Sequence, residues 1–180
     1  MSKYEIIEKA SALCEEYDIN TYPVDIVNLC NKNGITVFEE YLPTHVSGFI
    51  IIQSQILKKY NTNKLIVVNL LDAPSRRRFT IAHELGHYVL HRQHDVEMYA
   101  HRDAGQNNSI EREANIFASN VLMPKYLVQK ELDNISFDYW ESSYDAFLIY
   151  KISNAFAVSE AAARVRLNEL NKLNGRWYNE

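Results

Sequence analysis

The chain has 180 residues, 47% of them hydrophobic and only 5 Gly and 4 Pro, which predicts one folded domain with at most a small appendage. Its net charge of −4 argues against a chain built mainly to bind nucleic acid. No apolar run approaches the roughly 18 residues that span a bilayer, and no signal-peptide pattern opens the sequence, so we expect a cytoplasmic protein with no membrane partner.

The first 34 residues predict two helices. Apolar residues recur at intervals of three and four over residues 6–17 and again over residues 24–30. Pro23 suits the first turn of the second helix, and Gly34 suits a left-handed residue after its end. The two cysteines lie in these apolar stripes and lack Cys-x-x-Cys spacing, so we expect buried free thiols.

Residues 35–70 change to a strand pattern. Three runs of β-branched and aromatic residues, at 35–38, 48–52 and 64–69, are bounded by turn-forming residues. They predict an α+β fold in which a small three-stranded antiparallel sheet packs against helices. The Val46–Ile52 strand is a candidate edge strand that would hold an extended peptide, and an ordinary core strand is the alternative.

The following helix carries a His-Glu-x-x-His motif within residues 78–87. Residues four apart share one helical face, so His83 and His87 can direct two imidazoles at one metal ion. Glu84 is then placed to reach a water at the metal rather than the metal itself. A solvent-exposed helix with scattered histidines is the alternative. The basic run at 76–78 is interpreted as a solvated helix face.

A catalytic zinc site usually needs a third protein ligand. His91 lies eight residues beyond His83, about 12 Å along an unbroken helix, so it is not expected to share one ion. Glu111 is the better candidate, since it shares one face of a second predicted helix with Asn115 and Ala118, whereas Glu113 points about 200° away around that helix. Asn115, one turn beyond Glu111, is predicted to hydrogen-bond a ligand histidine and fix its ring.

These motifs resemble the ImmA/IrrE family of metallopeptidases. The resemblance is carried by residues 78–87 (RFTIAHELGH), 111–118 (EREANIFA) and 122–124 (LMP). Ser47-Gly48 and Val68-Asn69 also occur where that family has similar residues.

Covering roughly residues 10–125, the resemblance implies a zincin-like metallopeptidase core, which we place at residues 1–130, followed by a helical extension at 131–180. It implies that Zn²⁺ is held by His83, His87 and Glu111 with one position open to water, and that Glu84 is catalytic, as expected of a general base.

The family resemblance also implies a substrate. Typical members cleave a helix-turn-helix transcriptional repressor, often encoded beside the protease in a phage or mobile element, and so relieve repression or serve a stress response. Two alternatives remain from the residues alone. One is a DNA-binding regulator with a non-catalytic metal site, and the other is a protein that sequesters a repressor or toxin without cleaving it.

The polar segment between the two motif helices is expected at the rim of the active cleft. Either Tyr99 or His101 would suit the stabilisation of an oxyanion there. A surface loop with incidental polar side chains is the alternative.

The C-terminal part weakly resembles a helix-turn-helix over residues 152–167. In a DNA reader, Arg164 and Arg166 would face bases, and Lys172 and Arg176 would face phosphates. A run of three alanines in the second helix offers little for reading bases, so packing or docking of the substrate is favoured over direct DNA binding.

Overall fold

The computed structural model describes residues 1–52, 55–91, 99–100, 108–135 and 144–173. The helices are α1 (Lys3–Glu16), α2 (Ile26–Lys32), α3 (Pro74–His91), α4 (Asn108–Leu122), α5 (Lys125–Asp133), α6 (Tyr144–Phe156) and α7 (Glu160–Glu169). The strands are β1 (Thr36–Glu40), β2 (Gly48–Ile52), β3 (Lys64–Asn69) and β4 (Tyr99–Ala100), and a 3₁₀ helix covers Gln55–Tyr60. The predicted α+β class is confirmed.

The sheet is mixed rather than antiparallel throughout. Its strand order is β1-β3-β2-β4, with β1 parallel to β3 and β2 antiparallel to both β3 and β4. The all-antiparallel expectation was wrong because β3 inserts between the two strands that precede it in the sequence. Hydrophobic runs indicate where strands lie, but they do not encode the order in which strands pair.

Strand β2 is an interior strand of this sheet. Phe49 and Ile50 pair with Ala100 and Tyr99 of β4 on one side, while β3 pairs along the other side. Of the two alternatives for this strand, the edge strand was therefore wrong over Phe49 and Ile50, and the strand within the sheet is the one observed. The two-residue β4 comes from the polar segment between the motif helices, which carries no strand pattern in the sequence.

The N-terminal helices cover one side of the core. Helix α2 begins only at Ile26, because the Asp25 side chain accepts a hydrogen bond from the Asn28 N–H and caps it. Pro23 consequently precedes the helix instead of occupying its first turn. Gly34 has φ +68°, which confirms the predicted left-handed residue beyond the end of α2.

Both cysteines are buried free thiols, as predicted. Burial raises the pKa of Cys14 to about 11 and that of Cys30 to about 12, so neither is an activated nucleophile in the folded protein.

The basic run before the motif anchors α3 to its surroundings. Arg77 donates to the Leu70 carbonyl and lies 3.5 Å from Glu39, and Arg78 donates to the Val24 carbonyl at 2.8 Å. Only Arg76 is largely exposed. The interpretation as a solvated face was wrong for Arg77 and Arg78, because loop carbonyls within reach of α3 accept hydrogen bonds from their guanidinium groups.

Helices α3 and α4 approach closely at Gly86. A Cβ atom there would lie 3.3 Å from Ala114 Cα and 3.0 Å from Phe117 Cδ1. The absence of a side chain at Gly86 and the small side chain of Ala114 therefore allow the two backbones to pack almost directly against each other. This contact brings together the helix faces that carry the two sequence motifs.

The C-terminal helices belong to the same hydrophobic core as the motif helices. Ile152, Phe156 and Leu167 are buried in one cluster with Leu85 and Phe117. The division of the chain at residue 130 stays a prediction. No helix in the described part of the chain is both long and apolar enough to cross a membrane.

The predicted helix, turn and helix are present in α6 and α7, and the Ser159 side chain caps α7. Arg166, however, is only 3% exposed, and its Nε donates to the Met123 carbonyl at 3.0 Å. It cannot face DNA bases, so α7 is a packing helix at this position. Arg176 lies outside the described residues.

We expect Arg166→Ala to lower the free energy of unfolding by about 2–3 kcal/mol, since it removes a buried charged donor and leaves the Met123 carbonyl unpaired. Arg164→Ala, on the exposed side of the same helix, should change it by less than about 0.5 kcal/mol. Urea denaturation of both variants measures the difference. Equal effects would contradict a packing role for Arg166.

Candidate metal centre

Two imidazoles of α3 meet at the centre of the site. His83 and His87 are 5% and 2% exposed, and their Nε2 atoms lie 3.0 Å apart. The rings meet edge to face with centroids 4.6 Å apart. A spacing of four residues in an unbroken helix produces this arrangement, because it places both side chains on one face one turn apart.

The third member comes from the first turn of α4. Glu111 Oε2 lies 3.1 Å from His83 Nε2, and Glu111 Oε1 lies 3.3 Å from His87 Nε2. The close packing of α3 on α4 places this carboxylate next to the two rings. The structure thus brings together the three residues that the sequence nominates as metal ligands.

The chemistry of this group fits a divalent cation. Among the described residues it is the one set of three or more His, Cys, Asp or Glu side chains whose ligand atoms all converge. A tetrahedron with metal–ligand bonds of about 2.0–2.1 Å has edges of about 3.3–3.4 Å, close to the separations observed. Two imidazole nitrogens and a carboxylate directed at one point would repel each other unless a cation or protons lay between them. Histidine nitrogen and carboxylate oxygen are ligands that zinc accepts.

Asn115 determines which nitrogen of His83 faces the site. Its Oδ1 lies 2.9 Å from His83 Nδ1, one turn along α4 from Glu111. An amide oxygen only accepts a hydrogen bond, so His83 Nδ1–H is the donor, and Nε2 is the ring atom directed towards Glu111 and His87. The ring is thereby held with Nε2 directed at the group of three, which is the orientation that a metal ligand needs.

Glu84 lies buried beside the three ligand candidates. It is 2% exposed, and its Oε2 has no hydrogen-bond partner among the described residues. Burial, followed by the negative charge of Glu111, raises the pKa of Glu84 from 4.5 to about 8, while a backbone hydrogen bond from Ile50 opposes the rise. A carboxyl group with this environment can exchange a proton near neutral pH.

The remaining nominated residues lie elsewhere. His91 Nε2 is 3.5 Å from Glu113 Oε2, and Glu113 also accepts from the amino group of Met1, so this pair is outside the group of three. Tyr99 contributes its backbone to β4, and His101 lies outside the described residues. The assignment of an oxyanion-stabilising residue stays a prediction.

A buried asparagine that the residue-by-residue argument missed organises the approach to the site. The Asn69 amide donates to the carbonyls of Leu42, Pro43 and Val46, and its backbone N–H donates to the Ser47 carbonyl at 2.8 Å. These bonds fix the segment that leads into β2. The sequence offered one indication of this role: Val68-Asn69 occurs where the ImmA/IrrE family has similar residues. That resemblance did not explain what the asparagine does.

Gly48 is the second position that the residue-by-residue argument left without a reason. A Cβ atom there would lie 2.6 Å from both Thr80 Cγ2 and the Val67 carbonyl oxygen. Only glycine allows the start of β2 to lie this close to α3. The resulting pocket has a volume of about 220 Å³ and includes His83 and Glu84 in its lining.

A mixed sheet beside a His-Glu-x-x-His helix, faced by a carboxylate from the next helix, defines a protein of the metallopeptidase type. The sequence profile of the Peptidase_M78 family, described as the IrrE N-terminal-like domain, matches residues 30–168. The chain belongs to this family, the ImmA/IrrE metallopeptidases.

A named relative comes from a phage. The chain is 35% identical over 68 residues to the uncharacterized immunity region protein 2 of Bacillus phage phi105. The match covers 38% of this chain and 43% of that protein, so the chain spans less than half the length of this relative.

We expect the stability of the metal-free protein to depend on pH through Glu84. Its folded pKa, about 8, is above its unfolded value of 4.5, so the folded state binds the extra proton. This contribution to stability is complete below about pH 4.5 and is lost as pH rises through about 8. The free energy of unfolding of the wild type should therefore fall relative to that of Glu84→Gln between pH 5 and 8 in the presence of chelator. A difference that is constant with pH would contradict the burial argument.

Proposed function

We propose that the chain is a zinc-dependent endopeptidase that cleaves a partner protein. The single observation that carries this proposal is the convergence of His83, His87 and Glu111 beside the buried carboxyl group of Glu84. Family membership supports the class of reaction, since it indicates an enzyme of the metallopeptidase type acting on protein.

The roles follow from the position of each side chain. His83, His87 and Glu111 would hold the zinc, and Asn115 would keep the His83 ring in its binding orientation. A zinc ion held there would act as a Lewis acid, and it would supply the chemistry that polarises a carbonyl and activates water near neutral pH. Glu84 accepts the proton of the attacking water and returns it to the leaving amine.

The partner that we propose is a helix-turn-helix transcriptional repressor, whose cleavage would relieve repression. The resemblance to ImmA/IrrE proteins implies this substrate. The similarity to a protein named for a phage immunity region is consistent with it. We do not propose that the chain itself reads DNA, because Arg166 of α7 is buried against Met123.

Metal binding can be tested on two glutamates of α4. Glu111→Ala removes a proposed ligand, and the purified protein should retain much less than one zinc per chain after dialysis, because two imidazoles alone hold zinc weakly. Glu113→Ala removes a carboxylate two residues away that faces Met1 and His91, and it should keep the wild-type zinc content. Elemental analysis measures both. Equal zinc contents in the two variants would reject Glu111 as a ligand.

Cleavage can be tested with the helix-turn-helix repressor encoded nearest to this gene. The zinc-loaded wild type should cut it at one site, and chelator should abolish the reaction. Glu84→Gln should keep its zinc while the rate falls by about 10²–10⁴, because the proton acceptor is lost. Gel electrophoresis with mass spectrometry follows the products. A repressor that is bound but left intact by the zinc-loaded wild type would instead identify a sequestering protein.

A further inference from the structure

The pocket beside the proposed zinc ligands lies between the start of β2 and the first turns of α3. Ser47, Gly48, Arg76, Phe79 and Thr80 form one part of its lining. His83, Glu84 and Asn115 form the other. Its volume of about 220 Å³ is below the roughly 300–1,000 Å³ of sites that enclose a whole small molecule, and it suits one amino-acid side chain.

Arg76 is a cation at the mouth of this pocket, and its position is fixed. Its Nη2 and Nε donate to Ser47 Oγ at 2.7 and 3.0 Å, and its Nε also lies 3.2 Å from Asp72 Oδ2. Ser47 is itself held through its carbonyl oxygen by the Asn69 N–H. The guanidinium group is therefore tied to the same buried asparagine that organises the start of β2.

Three N–H groups of the Arg76 guanidinium have no hydrogen-bond acceptor among the described residues. It carries five N–H groups, of which the Nε–H and one Nη2–H are used by Ser47 and Asp72. Both Nη1–H groups and the second Nη2–H have no partner in the part of the chain that the structure describes. The Arg76 side chain remains 65% exposed. Its packing therefore does not explain why an arginine stands at this position.

The neighbouring arginine shows what a purely structural role looks like. Arg77 donates to the Leu70 carbonyl, pairs with Glu39, and has a side chain that is only 22% exposed. It does not line the pocket. The two adjacent arginines thus differ in direction, since Arg77 faces the sheet and Arg76 faces the space next to His83 and Glu84.

The geometry points to Arg76 as a specificity-determining residue that binds an acidic side chain of the substrate near the scissile bond. This inference rests on the proposed peptidase function. A guanidinium group matches a carboxylate with parallel N–H···O bonds, and it repels a Lys or Arg at the same position. Because the pair would be solvent-accessible and Asp72 offsets part of the charge, the preference should be about three- to tenfold.

The test uses a capped synthetic peptide library randomised at eight central positions and digested by the zinc-loaded protein. Mass spectrometry of the products should show Asp and Glu enriched over Lys and Arg by about three- to tenfold at one fixed distance from the cleaved bond. Arg76→Gln should remove this preference, and Arg76→Glu should reverse it. Arg77→Gln is the matched control and should retain it. Zinc content and melting temperature verify that each variant is folded and loaded.

A binding measurement separates this inference from the proposed function. Zinc-loaded Glu84→Gln is incubated with the same library, and the retained peptides are identified. They should be enriched in acidic residues, and a second substitution, Arg76→Glu, should abolish that enrichment.

Cleavage by the wild type without an acidic preference, or with a preference that Arg76→Glu leaves unchanged, would overturn the role of Arg76 and leave the peptidase standing. Binding of acidic peptides that depends on Arg76, without any cleavage by the wild type, would support the role of Arg76 in binding and reject the proposed peptidase function. If neither binding nor cleavage depends on Arg76, the inference is rejected.

Discussion

The close packing of α3 against α4 at Gly86 is the constraint on which the site depends. The two imidazoles belong to one helix and the carboxylate of Glu111 to the other, so the separation of the helices sets the distance between the ligand atoms. At Gly86 that separation is near its steric limit, because a Cβ would already lie 3.3 Å from Ala114 Cα. Bonds of about 2.0–2.2 Å to a single ion tolerate little widening. The small residues of this contact thus allow the spacing at which the three ligand candidates meet.

Burial raises the pKa of Glu84 and also lowers the stability of the fold. Glu84, His83 and His87 are almost completely inaccessible, and polar groups in such positions destabilise a fold unless they are paired. Asn115 pairs with His83, and the Ile50 backbone pairs in part with Glu84. Glu84 Oε2 has no partner among the described residues and faces the site in which we propose the chemistry. A buried polar atom without a hydrogen-bond partner is expected where function, rather than stability, has selected the side chain.

Asn69 and Gly48 connect the sheet to the site. Asn69 at the end of β3 holds the segment before β2 by both its side chain and its backbone, and Gly48 lets that segment lie against Thr80 of α3. The part of the pocket lining formed by Ser47 and Gly48 is therefore held in place by hydrogen bonds and close packing. Arg76, whose side chain is largely exposed, donates a hydrogen bond to Ser47 at the edge of this lining. In this arrangement the start of β2 and the first turns of α3 line the pocket, while α3 and α4 position the ligand candidates.

Features that depend on helical periodicity can be predicted from the amino-acid sequence. The four-residue spacing of His83 and His87 and the facing of Glu111 rather than Glu113 follow from 3.6 residues per turn. The α+β class can be predicted as well, since the change of hydrophobic period from helix to strand is local information. Three other features became apparent in the folded protein: β3 inserts between β1 and β2, β4 pairs with β2, and Arg166 is buried while Arg76 lines the pocket. These outcomes depend on contacts between segments distant in the chain, which no local pattern encodes.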